Sequence, residues 1–206
     1  MIFKQVALGK MQNFSYIMGD SGEAAIVDPG WDVDELIETA EDMKITKIIL
    51  THFHFDHVQK TDELADRTKA EIYLYEDEFE SLKKVVGSHK VHKLKDNDKI
   101  KVGKVKIKVI HTPGHTPGGM CLLVENKLIT GDTLFVNAIG RTDLPGGNAP
   151  QLFDSLQKLK KLDDKIEVYP GHDYGDVPVS TIAREKKQNP YFMCKSKEDF
   201  LKMVGY

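Results

Sequence analysis

The chain has 206 residues, 40% of them apolar and 30% charged, which is typical of a folded globular protein and not of a disordered or fibrous one. It carries 29 basic and 32 acidic residues, and the resulting net charge of −3 argues against a nucleic-acid-binding protein. No apolar run reaches the roughly 20 residues that span a bilayer, and residues 1–20 contain no secretory signal. We therefore expect a cytoplasmic protein without a membrane partner, in which residues 1–206 form a single domain.

Short strands and helices alternate in the first half of the chain. Apolar or alternating runs over 2–8, 14–18 and 24–27 predict three strands separated by turns. Apolar residues at helical spacing predict a helix over 32–43, and the apolar run 47–50 predicts a buried strand. The same patterns predict helices over 61–69 and 76–86 and a strand over 71–74.

The second half predicts a further sheet. A clean alternation over 100–110, bent at Gly103, predicts a hairpin with one buried face. The other face carries Lys99, Lys101, Lys104, Lys106 and Lys108. We interpret it as a solvated face that discourages edge pairing, in preference to an anion-binding surface. The remaining patterns predict strands over 120–124, 127–129 and 166–169 and helices over 151–162 and 181–187. Two sheets with helices outside fit this order better than one doubly wound sheet.

A dense group of metal-ligand residue types follows the predicted strand 47–50, with the sequence His52-x-His54-x-Asp56-His57. Side chains at positions i and i+2 point the same way only in extended chain, so His57 requires a turn. Such a turn can divide the four side chains between two neighbouring positions. Three imidazoles and a carboxylate at this density suit a divalent metal such as zinc, iron or manganese.

Three further ligand-type residues stand in turns after apolar strands, and each follows a glycine. They are His115, Asp132 and His172. A glycine before the ligand lets the backbone approach a crowded centre. Any one of these residues alone is more often an ordinary turn residue than a ligand, but together with the first motif they predict a metal site.

The assembled set resembles the metallo-β-lactamase superfamily, over nearly the whole chain. The resemblance implies a four-layer αββα sandwich of the α/β (α+β) class, with metal ions at one rim between two sheets. It implies two divalent ions, with zinc the first choice and iron or manganese as alternatives. It further implies that His52, His54 and His115 hold one ion, that Asp56, His57 and His172 hold the other, and that Asp132 bridges them with a hydroxide.

Asp56 and Asp132 are accordingly expected to hold the hydroxide that performs the reaction, since two cations around one water lower its pKa sharply. Asp28 either hydrogen-bonds a ligand histidine or simply ends a strand. His89, His92 and His111 are interpreted as structural or solvated.

Within the superfamily, the segments 131–135 and 171–174 are similar to glyoxalase II, the hydroxyacylglutathione hydrolase. That resemblance implies a thioesterase acting on a small-molecule hydroxyacyl-thiol, with Arg141 and Tyr174 near the thiol part of the substrate. Glyoxalase II continues into a helical domain that helps to bind glutathione. Because little chain follows His172, we expect a smaller acyl-thiol.

Two alternatives stay open. The segments 140–143 and 172–174 are also similar to persulfide dioxygenases, which would place a single iron on His52, His115 and Asp132. The fold could instead be a non-catalytic metal-binding module, although seven ligands shared by two ions leave the open coordination positions that a closed structural site lacks. The oligomeric state is not predicted.

Overall fold

The computed structural model describes residues 1–206, and its first sheet is built from the first half of the chain. Its strands are β1 (Ile2–Leu8), β2 (Asn13–Asp20), β3 (Glu23–Val27), β4 (Lys44–Leu50), β5 (Glu71–Tyr75) and β6 (Val91–Leu94). They lie side by side in the order β1-β2-β3-β4-β5-β6. The first three strands pair antiparallel and the last four pair parallel. The crossovers contain α1 (Val33–Thr39), α2 (Phe55–Val58), α3 (Thr61–Thr68), a 3-10 helix (Glu76–Glu78) and α4 (Phe79–Val86).

The second sheet takes its strands from the second half: β7 (Lys99–Val102), β8 (Val105–His111), β9 (Met120–Val124), β10 (Lys127–Gly131), β13 (Glu167–Pro170) and β14 (Ser180–Thr181). A small hairpin of β11 (Leu134–Phe135) and β12 (Ala138–Ile139) stands apart. The helices are α5 (Ala149–Leu159), α6 (Ile182–Gln188), α7 (Pro190–Met193) and α8 (Lys197–Met203). The strand order is β14-β13-β10-β9-β8-β7, in which only β10 and β13 run parallel, with α5 on the connection between them.

Three apolar layers hold these elements together. The outer layer of the first sheet includes Ile48 and, from a helix, Leu64, whereas the neighbouring Ile49 lies in the layer between the two sheets. This alternation follows from the two-residue period of a strand that is buried on both faces. A third layer packs Leu152 and Phe192 from the helices against the second sheet. The arrangement is helix, sheet, sheet, helix, which confirms the predicted αββα sandwich.

The lysine-rich hairpin matches its prediction. The five lysines of this segment are exposed, while Ile100, Val102 and Ile107 are buried between the sheets. β7 is the last strand of its sheet, so its charges lie where an unpaired edge needs protection. No helix of the structure is long and apolar enough to cross a membrane.

Several boundaries differ from the sequence predictions. The helix expected over 32–43 begins after its N-cap Asp32 but ends at Thr39, because Glu41 takes a left-handed φ of 54°. The helix expected over 76–86 is divided into the 3-10 helix and α4. The strand β6 lies in the lysine-rich stretch around His92 that had no predicted element. Its apolar residues are too few to give a strand pattern, so pairing with β5 forms it.

Candidate metal centre

The histidine-rich motif lies where β4 leaves the first sheet. His52 is two residues beyond the end of the strand, and His54 has the extended backbone of an N-cap for the single-turn helix α2. Asp56 and His57 fall in that turn, so the chain reverses direction between His54 and His57. The turn that the motif required is therefore this short helix.

The second sheet supplies the other ligand-type residues. His115 lies in the loop between β8 and β9, Asp132 directly follows β10, and His172 follows β13. Because β10 and β13 are parallel neighbours with Gly131 opposite Pro170, Asp132 and His172 come to the same edge. Their side chains and those of His52, Asp56, His57 and His115 are buried, and His54 is half-buried.

One group of four side chains surrounds a first position. His115 Nε2 lies 2.8 Å from His54 Nδ1 and 3.5 Å from Asp132 Oδ2. His52 Nε2 lies 3.8 Å from the same Asp132 oxygen. The potential ligand atoms of these four residues all lie within 4.8 Å of one another.

A second group shares the same aspartate. His57 Nε2 and His172 Nε2 are 3.1 Å apart, and they lie 3.5 Å and 3.4 Å from Asp56 Oδ2. Asp132 Oδ2 is 3.4 Å from His172 Nε2, and its Oδ1 is 3.3 Å from His57 Nε2. Asp132 therefore lies between the two groups.

These distances fit metal ions held by nitrogen and oxygen. Ligands at about 2.0–2.2 Å from a tetrahedral ion are separated from each other by about 3.3–3.6 Å, close to the separations observed here. His52 Nε2 and Asp132 Oδ1 are buried and have no hydrogen-bond partner, a cost that a cation would remove. All seven donors are imidazole nitrogens or carboxylate oxygens, which suit zinc, iron and manganese alike.

A family model described as the metallo-β-lactamase superfamily matches residues 8–172. The chain belongs to this superfamily. The resemblance inferred from the motifs is confirmed, and the chain is a member of a superfamily of metal-dependent hydrolases.

Relatives in the superfamily differ in the activities that their names describe. The probable polyketide biosynthesis zinc-dependent hydrolase PksB of Bacillus subtilis is 33% identical over 92% of this chain and 86% of its own length. The hydroxyacylglutathione hydrolase GloC of Haemophilus influenzae is 33% identical over 90% of this chain and 94% of its own. The crystal structure of ETHE1 from Myxococcus xanthus has a TM-score of 0.88 at 34% identity, over 99% of this chain and 90% of that one.

A layer of hydrogen bonds behind the superfamily motif orients the imidazoles. Asp28 Oδ2 accepts from Thr51 Oγ1 at 2.6 Å and lies 3.1 Å from His57 Nδ1, and its Oδ1 accepts the Thr51 amide at 2.7 Å. The carbonyl of Arg141 lies 2.7 Å from His115 Nδ1, and that of Met11 lies 2.9 Å from His172 Nδ1. With Nδ1 engaged in this way, the Nε2 atoms of these histidines are left to face the centre.

Two members of this layer were missed by the sequence analysis. Asn13 donates to Asp56 Oδ2 at 2.9 Å, and Trp31 Nε1 donates to Asn13 Oδ1 at 2.8 Å. Asn13 begins an ordinary strand and Trp31 follows a turn, so neither position carries a ligand pattern. Only the pairing of β2 with the segment around His172 brings Asn13 to the site.

The electrostatics of the site favour a bound cation. Burial lowers the pKa of His52 and His115, and it lowers that of His54 to about 4, so these imidazoles stay neutral as ligands must. Burial also lowers the pKa of His57, but Asp132 and Asp28 outweigh it and raise the value to about 9. The carboxylates therefore draw positive charge into the centre.

Close backbone packing surrounds Asp132. A Cβ atom on Gly171 would lie 2.2 Å from Asp132 Oδ1, and one on Gly140 would lie 1.8 Å from the Asp132 carbonyl oxygen. Real Cβ atoms essentially never approach another atom so closely. A side chain at position 140 would collide with the Asp132 backbone, and one at position 171 would displace the Asp132 carboxylate. This explains Gly171 before His172 and adds Gly140, which the sequence pattern did not single out.

A pocket of about 620 Å³ opens beside the centre. His54, Asp56, His115, Asp132 and His172 lie at its base. Its wall is largely apolar and includes Met11, Phe53, Phe55, Phe135, Ile139 and Leu144. A small organic substrate could therefore place a reacting group over the ligand cluster and an apolar portion against the wall.

Arg141 and Tyr174 both line this pocket. The Tyr174 ring stacks on His172 at a centroid distance of 4.5 Å and is 52% exposed. The Arg141 guanidinium is held by Asp143, with Nε and Nη2 donating at 2.7 and 2.6 Å. This ion pair lies at the surface and is therefore weak enough for a substrate to compete with it.

Proposed function

We propose that the protein is a thioesterase that hydrolyses hydroxyacyl-thiols, with zinc as the first choice for its two divalent ions. The observation that carries this proposal is the position of Asp132 between two groups of ligand side chains at the base of an organic-sized pocket. His52, His54 and His115 would hold one ion and Asp56, His57 and His172 the other, with Asp132 available to both groups.

When bound, two divalent ions would supply a hydroxide at neutral pH and polarise the thioester carbonyl. Asp56 and Asp132 would keep that nucleophile in place, and Asn13 fixes the Asp56 carboxylate by donating to its Oδ2. Asp28 holds the His57 ring through Nδ1. Residues at the base of the pocket would thus act on a carbonyl that the pocket orients.

The pocket wall supports an acyl-thiol of largely apolar character. Phe55 is 61% exposed at the pocket, and Phe135 packs edge-on against Tyr174. Tyr174 and these rings would enclose the thioester and exclude bulk water from it. Asp143 occupies only Nε and Nη2 of the Arg141 guanidinium, so Arg141 would bind a substrate carboxylate through Nη1 or by releasing Asp143.

Glutathione stays a candidate thiol. The Haemophilus relative carries hydroxyacylglutathione hydrolase in its name and is matched over 94% of its length. Because this relative is matched over nearly its whole length, we keep glutathione as a candidate thiol beside the smaller acyl-thiols. A comparison of neutral and anionic thioesters decides how far Arg141 contributes.

The first experiment is metal analysis of the purified protein by elemental mass spectrometry, followed by hydrolysis assays on hydroxyacyl-glutathione, a neutral acyl-thioester and a β-lactam. We expect about two ions per chain and turnover of a thioester. Asp132→Ala should lower kcat at least about 10³-fold and reduce the content to at most about one ion, because the residue that joins both groups is lost. The matched control is Asp173→Ala, because Asp173 is an exposed neighbour of His172; this variant should keep the wild-type kcat and metal content.

Two results would contradict the proposal. An active Asp132→Ala variant with its full metal content would exclude the role of Asp132. About one iron per chain, with oxygen consumption on a persulfide and no thioester hydrolysis, would establish the dioxygenase alternative. For Arg141→Ala, an unchanged KM for anionic thioesters would remove Arg141 from the substrate site.

A further inference from the structure

A carboxylate outside the ligand set is buried next to two ligand-bearing loops. Glu78 ends the 3-10 helix between β5 and α4, on the side of the first sheet, and is 0% exposed. Its Oε1 accepts from Thr116 Oγ1 at 2.8 Å and from the Gly118 amide at 2.6 Å. Both donors belong to the loop of the second sheet that carries His115.

The chain segment that carries Glu78 lies beside the other ligand loop. It directly follows β5, which pairs in parallel with β4, and β4 leads into His52. Glu78 therefore ties the His115 loop of the second sheet to the part of the first sheet that borders the His52–His57 loop. Neither the Thr116 hydroxyl nor the Gly118 amide carries a positive charge.

The packing around Glu78 is close on the side of the His115 loop. A Cβ atom on Gly118 would lie 2.6 Å from Glu78 Cγ and 2.9 Å from the Glu78 backbone nitrogen. The loop is thus seated against the 3-10 helix and could not be displaced sideways without breaking both hydrogen bonds. The second oxygen, Oε2, is buried and has no partner.

Such a residue costs stability, since a buried carboxyl group without an ionic partner loses its hydration. Burial raises the pKa of Glu78 to about 7, although the hydrogen bonds from Thr116 and Gly118 oppose that shift. An apolar side chain of similar size would fill the space at lower cost but could not accept the hydrogen bonds from the His115 loop.

We propose that Glu78 is a positioning residue that fixes the His115 loop against the first sheet, beside the His52–His57 loop, and so sets the separation of the first group of metal ligands. It touches no substrate and no ligand atom. Its contribution is the geometry of His52, His54 and His115, and it is independent of which thioester the enzyme hydrolyses.

The test measures metal binding rather than turnover. Zn²⁺ affinity is determined by competition with a chromophoric chelator, and stoichiometry by elemental analysis, for Glu78→Ala, Glu78→Gln and Thr116→Val. We expect Glu78→Ala to weaken the binding of one of the two ions by about 10–100-fold, as for other residues that support metal ligands. Glu78→Gln keeps an oxygen that can accept the hydrogen bonds from Thr116 and Gly118. Its Zn²⁺ affinity should therefore stay within about threefold of the wild-type value. Thr116→Val removes one hydrogen bond from the opposite side and should show a smaller loss.

Glu185 provides the matched control. It is also 0% exposed and accepts hydrogen bonds at 2.9 Å from the Asn137 amide and from Asn189 Nδ2, away from the ligand loops. Glu185→Ala should lower the thermal midpoint but leave both ions bound to the folded protein. Wild-type affinity in Glu78→Ala, or equal metal loss in Glu78→Ala and Glu185→Ala, would overturn the proposal. Because the readout is metal affinity, a failure of the thioesterase assignment leaves this test intact.

Discussion

Asp28 shows how much one buried residue can determine. Its backbone has a left-handed φ of 52°, which turns the chain at the end of β3. Its carboxylate accepts two hydrogen bonds from Thr51 and lies against His57 Nδ1. The sequence left two roles open for Asp28, a strand-ending turn or a partner of a ligand histidine, and the geometry serves both.

We expect Asp28→Asn to weaken metal binding by about 10–100-fold, because the amide keeps the shape of the side chain but loses the charge that holds His57 with Nε2 toward the centre. The chelator competition described above measures the change. Asp98→Asn is the control, since Asp98 is an exposed turn carboxylate that accepts from the Lys95 amide. Equal affinities for wild type and Asp28→Asn would assign Asp28 to the turn alone.

The raised pKa of Glu78 predicts that the free energy of unfolding depends on pH. Its pKa is raised by burial from 4.5 to about 7 in the folded state, so the folded protein holds a proton that the unfolded chain releases above about pH 4.5. The contribution of this proton to the free energy of unfolding is fully present below pH 4.5, and it is lost as the pH rises through about 7. Urea unfolding between pH 5.5 and 8 should show wild type losing stability relative to Glu78→Gln as the pH rises. Parallel curves for the two proteins would contradict this prediction.

At the level of elements, the sequence predicted those whose pattern is local. The strands β1, β3, β8 and β9 and the ligand turns that follow strands have clear periodicity or punctuation, and their predicted positions agree with the structure. The elements β6, β11, β12 and β14 are only two to four residues long, so pairing and not composition determines them. Asn13, Trp31 and Glu78 could not be found, because their roles depend on contacts between distant segments.

The hairpin of β7 and β8 gives a prediction at the same level. Lys101 lies directly opposite Lys106, and Lys99 opposite Lys108, on an exposed face where like charges repel. Lys106→Glu should raise the free energy of unfolding by about 0.5 kcal/mol, with the gain reduced in 1 M salt by screening. Urea unfolding at low and high salt measures it. Lys104→Glu, in the turn without an opposing strand residue, should change little, and an equal gain in both variants would reject the pairing argument.

For the whole molecule, the ligand cluster is the place where both sheets meet at one rim. Asp132 and His57 come from different sheets, and without a cation Asp132 and Asp28 already raise the pKa of His57 to about 9. Bound ions would therefore stabilise the contact between the two halves of the sandwich as well as the site itself.

Removal of the ions with a chelator should lower the thermal midpoint by about 8–16 °C. A metal ion at a free concentration of 1,000 times its Kd adds about 4 kcal/mol to the free energy of unfolding. For a chain of this size, each kcal/mol shifts the thermal midpoint by about 2–4 °C. Differential scanning calorimetry measures the thermal midpoint after chelation and again after Zn²⁺ has been added back, when the midpoint should recover. In the Asp132→Ala variant, the chelator should lower the thermal midpoint by less than in the wild-type protein. An unchanged midpoint in the wild-type protein would show that the ions contribute nothing to the stability of the fold.

The hydrogen bond between the Met11 carbonyl and His172 Nδ1 joins positions 161 residues apart. During synthesis His172 leaves the ribosome long after the His52–His57 segment, and Asn13 has no partner for its bridge to His172 until then. A nascent chain therefore carries four of the seven candidate ligands, His52, His54, Asp56 and His57, before the other three have been made. The site is complete only once His172 has been synthesised and has paired with the segment around Asn13, so we expect full metal binding only after that point.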